Sequence, residues 1–413
     1  MTWTRRAALA GAAGAVGTLS APAIVRAQGG SMRVVVVGAG VFGAWTAEHL
    51  RRAGHKVLLV DAWGPAHARA SSGGESRMTR GAYGPDLVYT RMALDSLAEW
   101  KALSAEADLP LFHETGVLFM FARHEAYVDD SLRVHRQLKL PTELLDRAAI
   151  AHRHPGLDPR GIEAALWEPG FGVLMARRAV QELVARYVPT GGLYEQKAVR
   201  PVPPRGRRLE AVTTLSGERI EADTFVFTCG PWLPKLFPGL LARRIFPTRQ
   251  EVFFFRPPSG DDRFGPRRMP GWAVFDAGDI WYGMPDLEGR GFKIAHDAHG
   301  PAMNPDAGDR TPSPAAMAAA RRTLARRFPA LADAPLSEAR VCQYENSANG
   351  DLLIDRHPDM PNVVLVGAGS GHGFKHGPAV GRYAAALVAG TLAHPEPRFS
   401  LASKGERQAR AVH

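Results

Sequence analysis

The chain has 413 residues, 45% of them hydrophobic, so it is long enough for a large core and too long for one small domain. Its formal net charge is +10, and 43 arginines against eight lysines supply the basic residues. The arginines are scattered among acidic residues, which argues against a nucleic-acid partner and leaves an anionic small substrate compatible with the charge.

Residues 1–27 have the layout of a secretory signal peptide of the twin-arginine type. Arg5 and Arg6 precede a weakly apolar run, residues 7–25, which ends in a small-x-small site at Ala27. Gly, Ser and Thr residues and Pro22 make this run a poor membrane anchor, and no other stretch is long enough to span a bilayer. We expect a periplasmic or secreted protein without a stable membrane span, whereas translation from Met32 would leave a cytoplasmic one.

The next segment predicts a dinucleotide-binding unit. Four valines at 34–37 indicate a buried parallel strand, followed by three glycines in G-x-G-x-x-G order, Gly38, Gly40 and Gly43. An amphipathic helix to about Arg52 and a second strand ending at Asp61 complete the unit. The glycines allow a tight turn, a close approach to a pyrophosphate and helix packing, while Asp61 is placed to bind a ribose. The acid argues against NADP and does not separate NAD from FAD.

Two later segments favour FAD. Residues 220–236 contain a buried strand ending in Cys-Gly-Pro-Trp, and residues 362–390 contain a strand, a glycine-rich turn and a helix. A NAD-dependent Rossmann dehydrogenase needs no such return to the cofactor, whereas the longer FAD does. We expect the backbone to approach the flavin at Gly369, Gly371 and Gly373, with the following helix directing its positive end at the ring. A purely structural turn is the alternative.

From about residue 33 to 390 the chain resembles the family of FAD-dependent amine oxidases that includes monomeric sarcosine oxidase, N-methyltryptophan oxidase and pipecolate oxidase. The resemblance is carried by "GAGVFGAW", "SSGGESRMTRGAYG", "GFKIAHDAHG", "VCQYENSANGDLLIDRHP" and "GAGSGHGFKHGP". It implies an α/β fold in which a Rossmann-like FAD-binding domain is interleaved with an antiparallel-sheet α+β substrate domain. We assign 33–89, 145–230 and 336–390 to the first, 90–144 and 231–335 to the second, and 391–413 to a C-terminal tail. Ser72, in the second of these motifs, is expected to bind the cofactor.

In that family the cysteine of a C-x-Y segment attaches the flavin covalently. The matching residue is Cys342, with Tyr344 completing the motif. The chemistry agrees, because a thiolate is the competent nucleophile and nearby cations favour its formation. A disulfide between Cys229 and Cys342, which an exported protein tolerates, and an inert thiol are the alternatives.

The resemblance also implies roles for charged residues. Arg80 and Lys375 match the residues that hold the substrate carboxylate, and Lys375 is expected beside the cofactor as well. Arg77 and Lys293 match the pair near the flavin faces, with the lysine linked to oxygen activation, so that Arg77, Lys293 and Tyr344 are the candidate catalytic residues. Arg77 and Arg80 would share a face if their segment were helical. The alternative for each arginine is a surface ion pair.

One position departs from the family. Sarcosine oxidases carry a histidine four residues beyond the oxygen-side lysine, where this chain has Asp297, with His296 and His299 on either side. An acid there casts doubt on sarcosine itself and favours a larger or more polar amino acid. A strand offset of one residue would instead bring His296 into the pocket, so both residues are candidates for substrate binding.

The sequence therefore predicts an FAD-dependent oxidase of an α-amino acid, N-methylated or otherwise secondary. A hydride would pass from the C–N carbon to the flavin, O2 would be reduced to H2O2, and water would hydrolyse the imine. We expect a monomer with a small amino-acid substrate and no metal. A dehydrogenase with another electron acceptor and a non-catalytic exported binding protein are the alternatives.

Overall fold

The computed structural model describes residues 30–203, 206–276 and 278–408. The signal peptide expected at residues 1–27 lies outside these ranges, so export stays a prediction. Within the ranges, no helix has both the length and the apolar character needed to cross a membrane.

Helices and strands alternate along the described chain. The helices are α1 (Val41–Arg52), α2 (Leu87–Glu106), α3 (Ala126–Gln137), α4 (Arg147–Arg153), α5 (Ala176–Tyr187), α6 (Leu233–Leu236), α7 (Pro238–Leu241), α8 (Pro314–Arg327) and α9 (Gly377–Ala389). The strands are β1 (Arg33–Val37), β2 (Lys56–Asp61), β3 (Arg77–Met78), β4 (Phe112–His113), β5 (Val117–Phe121), β6 (Glu143–Leu145), β7 (Ala164–Glu168), β8 (Val173–Leu174), β9 (Leu193–Gln196), β10 (Ala211–Thr213), β11 (Arg219–Glu221), β12 (Thr224–Phe227), β13 (Ile245–Phe255), β14 (Gly271–Asp276), β15 (Asp279–Met284), β16 (Phe292–His296), β17 (Leu336–Ser347), β18 (Leu353–Arg356) and β19 (Val363–Gly367).

A six-stranded sheet contains the predicted dinucleotide unit. Its order is β18-β19-β12-β1-β2-β9, and all strands are parallel except β18 at one edge. The four valines of β1 are at most 5% exposed, as expected for a strand covered on both faces. On one face α1 packs against α9, where a Cβ on Gly381 would lie 2.6 Å from the backbone carbon of Trp45. This close packing brings the N-terminal ends of both helices to one side of the sheet.

An eight-stranded sheet stands beside it, in the order β17-β13-β16-β15-β14-β5-β7-β6. Neighbouring strands are antiparallel, except that β14 and β5 are parallel. One face packs on α8, through Phe253 and Ile294 against Leu324. The opposite face carries Val252 and Ala295, because successive side chains of a strand alternate between faces. That second face lies towards the candidate site.

Strands of the two sheets alternate along the chain, which confirms the predicted α/β class with an interleaved second sheet. Residues 145–230 and 336–390 were expected in the FAD-binding domain. However, β7 and β17, which come from these segments, pair within the eight-stranded sheet, with β5 and β13 respectively. Sheet membership depends on long-range pairing that local sequence does not reveal, and the domain boundaries stay a prediction.

Candidate active site

A long cavity runs from the turn between β1 and α1 to the turn after β19. We call it the cofactor cavity, and its lining includes Gly38, Gly40, Asp61, Ser72, Gly369, Gly371 and Gly373. All of the predicted glycines except Gly43 therefore border one space. Gly43 instead packs α1 against β1, because a Cβ there would lie 1.8 Å from the carbonyl oxygen of Gly38.

Two side chains accept hydrogen bonds from backbone amides at or near the N-terminus of α1. The Asp61 carboxylate, 9% exposed, accepts hydrogen bonds from the amides of Ala39, Trp63 and Gly64 at 2.8 to 3.0 Å. The Ser72 hydroxyl accepts from the amide of Val41 at 3.0 Å, at the first residue of the helix. A carboxylate oxygen can accept more than one hydrogen bond, so Asp61 keeps the capacity to bind a ribose hydroxyl.

The turn after β19 has an unusual backbone. Gly371 has a φ of +79°, and a Cβ there would lie 2.7 Å from the ring of Tyr344. Two non-glycine residues of the same turn, Ala368 and Ser370, also have positive φ, at 56° and 44°. Such conformations cost free energy and persist where the surrounding structure enforces them, which is common at functional sites.

A second, smaller cavity adjoins the first. We call it the cationic cavity, because its lining includes Arg77, Arg80 and Lys375 together with Asp297, Cys342 and Tyr344. Arg77, Tyr344 and Gly371 line both cavities, so the two spaces meet at these residues. The structure therefore brings together cations from two sequence motifs that lie almost 300 residues apart, with Arg77 and Arg80 in one and Lys375 in the other.

Arg80 and Lys375 lie on the same aromatic ring. The guanidinium carbon of Arg80 is 4.0 Å, and the ammonium nitrogen of Lys375 is 5.1 Å, from the ring centroid of Tyr83. Both side chains are buried, at 8% and 5% exposure. Arg80 donates to the carbonyl of Ala82 and Lys375 to that of His372. The shared ring holds two positive groups close together, although cations repel each other.

Arg77 reaches the site from an extended segment. The condition under which Arg77 and Arg80 would share a helix face is not met, because Arg77 lies in the short strand β3, which pairs with β8. Its guanidinium donates to the carbonyls of Ser76, at 2.8 Å, and Ser71, at 2.6 Å. These bonds fix the side chain at the junction of the two cavities.

Lys293 lies behind the cavity wall. Its ammonium group is 2% exposed, does not line either cavity, and donates to the carbonyl of Ser76 at 2.8 Å. Burial, followed by repulsion from Arg77, lowers the pKa of Lys293 to about 7, while Cys342 and Glu75 act in the opposite direction. At neutral pH this side chain can therefore either hold or release a proton.

Strand alternation decides between Asp297 and His296. Lys293 and Ala295 lie on the face of β16 that points to the site, and Asp297, two residues further, lines the cationic cavity. His296 points to the other side, where its Nε2 lies 2.5 Å from Asp279 and its ring stacks on Trp281. The prediction that His296 binds substrate is therefore not supported by its position, because the pleat turns it outward.

Both cysteines are free thiols, so the alternative of a disulfide between them is wrong. Cys342 lines the cationic cavity, two residues from Tyr344 on the same face of β17. Cys229 lines the cofactor cavity, and its sulfur donates to the carbonyl of Val37 at 3.2 Å. Burial, with further contributions from Asp61 and Glu345, raises the pKa of Cys229 well above its usual value, which disfavours its thiolate.

A chain of hydroxyl groups ends on Asp297. The Tyr344 hydroxyl donates to Oδ1 of Asp297 at 3.2 Å and lies 3.4 Å from the Tyr282 hydroxyl. Burial is the first cause that raises the pKa of Tyr282, to about 12, and that of Tyr344, so both phenols keep their protons at neutral pH. They are hydrogen-bond donors in the cavity.

Comparison with known proteins identifies the family. The model of the family described as "FAD dependent oxidoreductase" matches residues 33–387. The chain belongs to this family of FAD-dependent oxidoreductases. It is 32% identical over 370 residues to a monomeric sarcosine oxidase of Streptomyces avermitilis, covering 88% of this chain and 95% of that protein. It is 29% identical over 362 residues to the N-methyl-L-tryptophan oxidase of Salmonella arizonae, covering 85% and 93%.

Solved structures share the fold of this FAD-dependent oxidoreductase. The L-proline dehydrogenase of P. horikoshii superposes with a TM-score of 0.78 at 20% identity, covering 90% of this chain and 97% of that one. Amadoriase II of Aspergillus fumigatus gives a TM-score of 0.74 at 22% identity, covering 91% and 92%. At this level of identity the likeness concerns the fold alone.

The cofactor cavity fits FAD on an independent observation. Glu345 lines it, is 5% exposed, and its Oε1 has no hydrogen-bond partner among the described residues. Buried polar atoms are nearly always satisfied, so a donor from a bound group is expected here. Asp61, Ser72 and the glycine turns would hold the rest of the molecule, which would supply a hydride acceptor.

Several lining residues were not anticipated from the sequence. Trp63 and Trp232, with ring centroids 4.9 Å apart, form an aromatic wall of the cofactor cavity, while Tyr83 and Tyr282 border the cations. Tyr83 lies within the quoted "SRMTRGAYG" segment and Tyr282 within the strand "DIWYGM", so the alternation of that strand was a usable signal. Glu345 directly follows the C-x-Y motif, and no pattern in the sequence marks it as a lining residue.

Substitution of Glu345 by Gln should flatten the pH dependence of stability. Burial raises the pKa of Glu345 to about 8, and the amides of Ala368 and Gly369 offset this in part. The folded protein thus binds an extra proton between the unfolded pKa and about 8, so its stability falls as the pH rises through that window. In Glu345→Gln the decrease in the free energy of unfolding across this pH window should be smaller, by on the order of 2 kcal/mol.

Urea unfolding at several pH values between 5 and 8.5 checks this expectation. Glu125→Gln is the matched control, because Glu125 is an exposed glutamate outside the linings of both cavities. Equal slopes of unfolding free energy against pH in the wild type and Glu345→Gln would contradict it.

Proposed function

We propose that this protein is an FAD-dependent oxidase of secondary α-amino acids, N-methyl amino acids included, with O2 as the electron acceptor. The observation that carries the proposal is the pair of buried cations, Arg80 and Lys375, in a cavity that meets the cofactor cavity at Gly371 and Tyr344. Relatives with the names sarcosine oxidase and N-methyl-L-tryptophan oxidase support the substrate class.

The two cations suit the carboxylate of an amino acid. A guanidinium group can hold it through two parallel hydrogen bonds, and an ammonium group adds a point charge. Held in this way, the carbon next to the amine has a fixed orientation towards the cofactor cavity. The same positive field disfavours an ammonium group, so the substrate amine would give up its proton and become able to release a hydride.

Electron balance defines the overall reaction. The substrate loses a hydride from the C–N carbon and a proton from nitrogen, O2 gains two electrons and two protons to form H2O2, and water hydrolyses the imine. Lys293 is our candidate for the residue that promotes the reaction of O2, because its buried ammonium group would stabilise negative charge developing on oxygen.

A panel of amino acids tests the function. Purified yellow protein should consume O2 and produce equimolar H2O2 with at least one of N-methylglycine, N-methyltryptophan, pipecolate or N-methylated polar amino acids. If the protein reduces a dye under nitrogen but forms no H2O2 in air, it is a dehydrogenase and not an oxidase. A colourless protein that binds no flavin would favour a non-catalytic binding protein.

We propose further that Cys342 attaches the cofactor covalently. Its thiol forms no disulfide, and the residue lines the cationic cavity two positions from Tyr344, which lines both cavities. Cys342 also shares a sheet face with Lys293. Cys229 is a poor alternative, since burial raises the pKa of its thiol and its sulfur already donates to a backbone carbonyl.

Acid denaturation checks this attachment. Wild-type protein should give a yellow pellet, and so should Cys229→Ala, which serves as the matched control because Cys229 is the cysteine that lines the cofactor cavity. Cys342→Ala should release its flavin into the supernatant. Free flavin from the wild type, or a yellow pellet from Cys342→Ala, would refute the tether.

Replacement of Lys293 by Met should slow the reaction with O2 by on the order of 100-fold, the usual effect of removing one electrostatic group from an active site. Dye reduction by substrate under nitrogen should change much less. Because the pKa of Lys293 is lowered to about 7, its positive charge is present below that pH, so the wild-type O2 reaction should slow as the pH rises through 7.

Lys101→Met is the control, since Lys101 is a surface lysine paired with Glu114. Steady-state rates at varied O2 concentration measure the effect. An unchanged dependence on O2 in Lys293→Met would remove the lysine from this role.

A further inference from the structure

Among the described residues that line the cationic cavity, Asp297 is the one that carries a carboxylate. Its position is fixed, because its amide donates to the carbonyl of Ile280 at 2.7 Å and its side chain accepts from Tyr344 at 3.2 Å. The Tyr282 hydroxyl extends this chain of donors at 3.4 Å from that of Tyr344. Asp297, which is half-buried, is therefore held in a fixed position in the wall of the cavity.

This carboxylate does not serve the two groups that every α-amino acid has. A substrate carboxylate would be repelled by Asp297 and belongs with Arg80 and Lys375, whose charges lie on Tyr83. The reacting amine must be neutral to lose a hydride, and a neighbouring carboxylate would instead favour its ammonium form. Asp297 thus provides a place for a third group, which is either a cation or a strong hydrogen-bond donor.

The surface between these charged groups is apolar. Besides its polar residues, the cavity is lined by apolar side chains that include those of Phe119, Val252, Phe275, Ile280, Met284 and Phe374. An aliphatic stem can pack along such a surface while its charged end reaches a partner. This arrangement matches an amino acid with a methylene stem and a terminal ammonium group. Asp297 would face the ammonium group, Arg80 and Lys375 the carboxylate, and the apolar wall the stem.

We propose that Asp297 is a specificity residue that selects α-amino acids carrying a second cationic group at the end of an aliphatic stem. The inference rests on the proposed function, since it assigns Arg80 and Lys375 to the substrate carboxylate. Asp297 binds the terminal ammonium group, and its hydrogen bond from Tyr344 keeps the carboxylate oriented. Amino acids with apolar side chains offer Asp297 no cation and bind less well.

Binding without turnover gives the first test. Calorimetry on the flavin-containing enzyme compares ω-amino carboxylates, from 4-aminobutanoate to 6-aminohexanoate, with unsubstituted carboxylates of the same chain length. These ligands lack an α-amine, so they report only on the two charged ends. At the best length, the amino compound should bind at least about tenfold more tightly than its unsubstituted partner in the wild type. Equal affinities at every length would overturn the proposal.

Two variants locate the effect. In Asp297→Asn the ratio of the two affinities, amino compound to unsubstituted compound, should fall to about one, whereas Asp279→Asn should keep the wild-type ratio. Asp279 is the matched control because it lies on the outer side of the neighbouring strand β15, beside His296. If Asp297→Asn strengthens binding of both ligands by the same factor, the acid only balances charge and the proposal is wrong.

Turnover separates this inference from the proposed function. Nα-methyllysine differs from Nα-methylnorleucine by an ammonium group in place of one hydrogen of the terminal methyl group. The lysine derivative should have the higher kcat/KM in the wild type but not in Asp297→Asn. Oxidation of Nα-methylnorleucine in preference to Nα-methyllysine would refute the role of Asp297 and leave the proposed oxidase function intact. Selective binding of the amino carboxylates without oxidation of any amino acid would instead refute the proposed oxidase and support the charge selectivity.

Discussion

Strands β13 and β17 pair along eleven residues, from Ile245 opposite Ser347 to Phe255 opposite Leu336. This pairing, together with that of β13 and β16, sets which side chains face the site. Because paired residues of neighbouring strands share a face, Cys342 and Tyr344 of β17 lie on the same surface as Lys293 of β16. A slip of one residue in either strand would turn its side chains to the opposite face of the sheet.

The second constraint is electrostatic. Burying several cations in one region is costly, and the protein offsets the cost in different ways for each. Arg80 lies on an aromatic ring and bonds to a carbonyl, Arg77 bonds to two carbonyls, and Lys293 has its pKa lowered to about 7. Nearby Glu168 is fully buried and has its pKa raised to about 7, chiefly by burial, so it is not a permanent counter-ion. Among the described residues that line the cationic cavity, the cations therefore face one carboxylate, that of Asp297, which also acts on Arg80.

The sequence predicted the parts of the molecule that depend on local pattern. The valine strand, the glycine turn and Asp61 follow one another in the chain, and each was placed correctly in the fold. His296 and Asp297 are neighbours, so only the register of β16 could separate them. Glu345 has no motif of its own, and its importance comes from burial beside a turn that lies more than twenty residues further along the chain. Pattern fails where the relevant contact is distant in sequence.

The turn after β19 is strained, and the hydrogen bonds that stabilise it connect it to a strand that lines both cavities. Ala368 and Ser370 adopt positive φ values, each of which costs about 1 kcal/mol or more in a non-glycine residue. The cost is offset locally, because Ser370 donates its amide to the carbonyl of Glu345 at 2.9 Å and its hydroxyl accepts from the amide of Ser347 at 3.2 Å. Both partners belong to β17, which carries Cys342. The strained turn is therefore tied to the strand that holds the thiol, and a displacement of either would change both cavities at once.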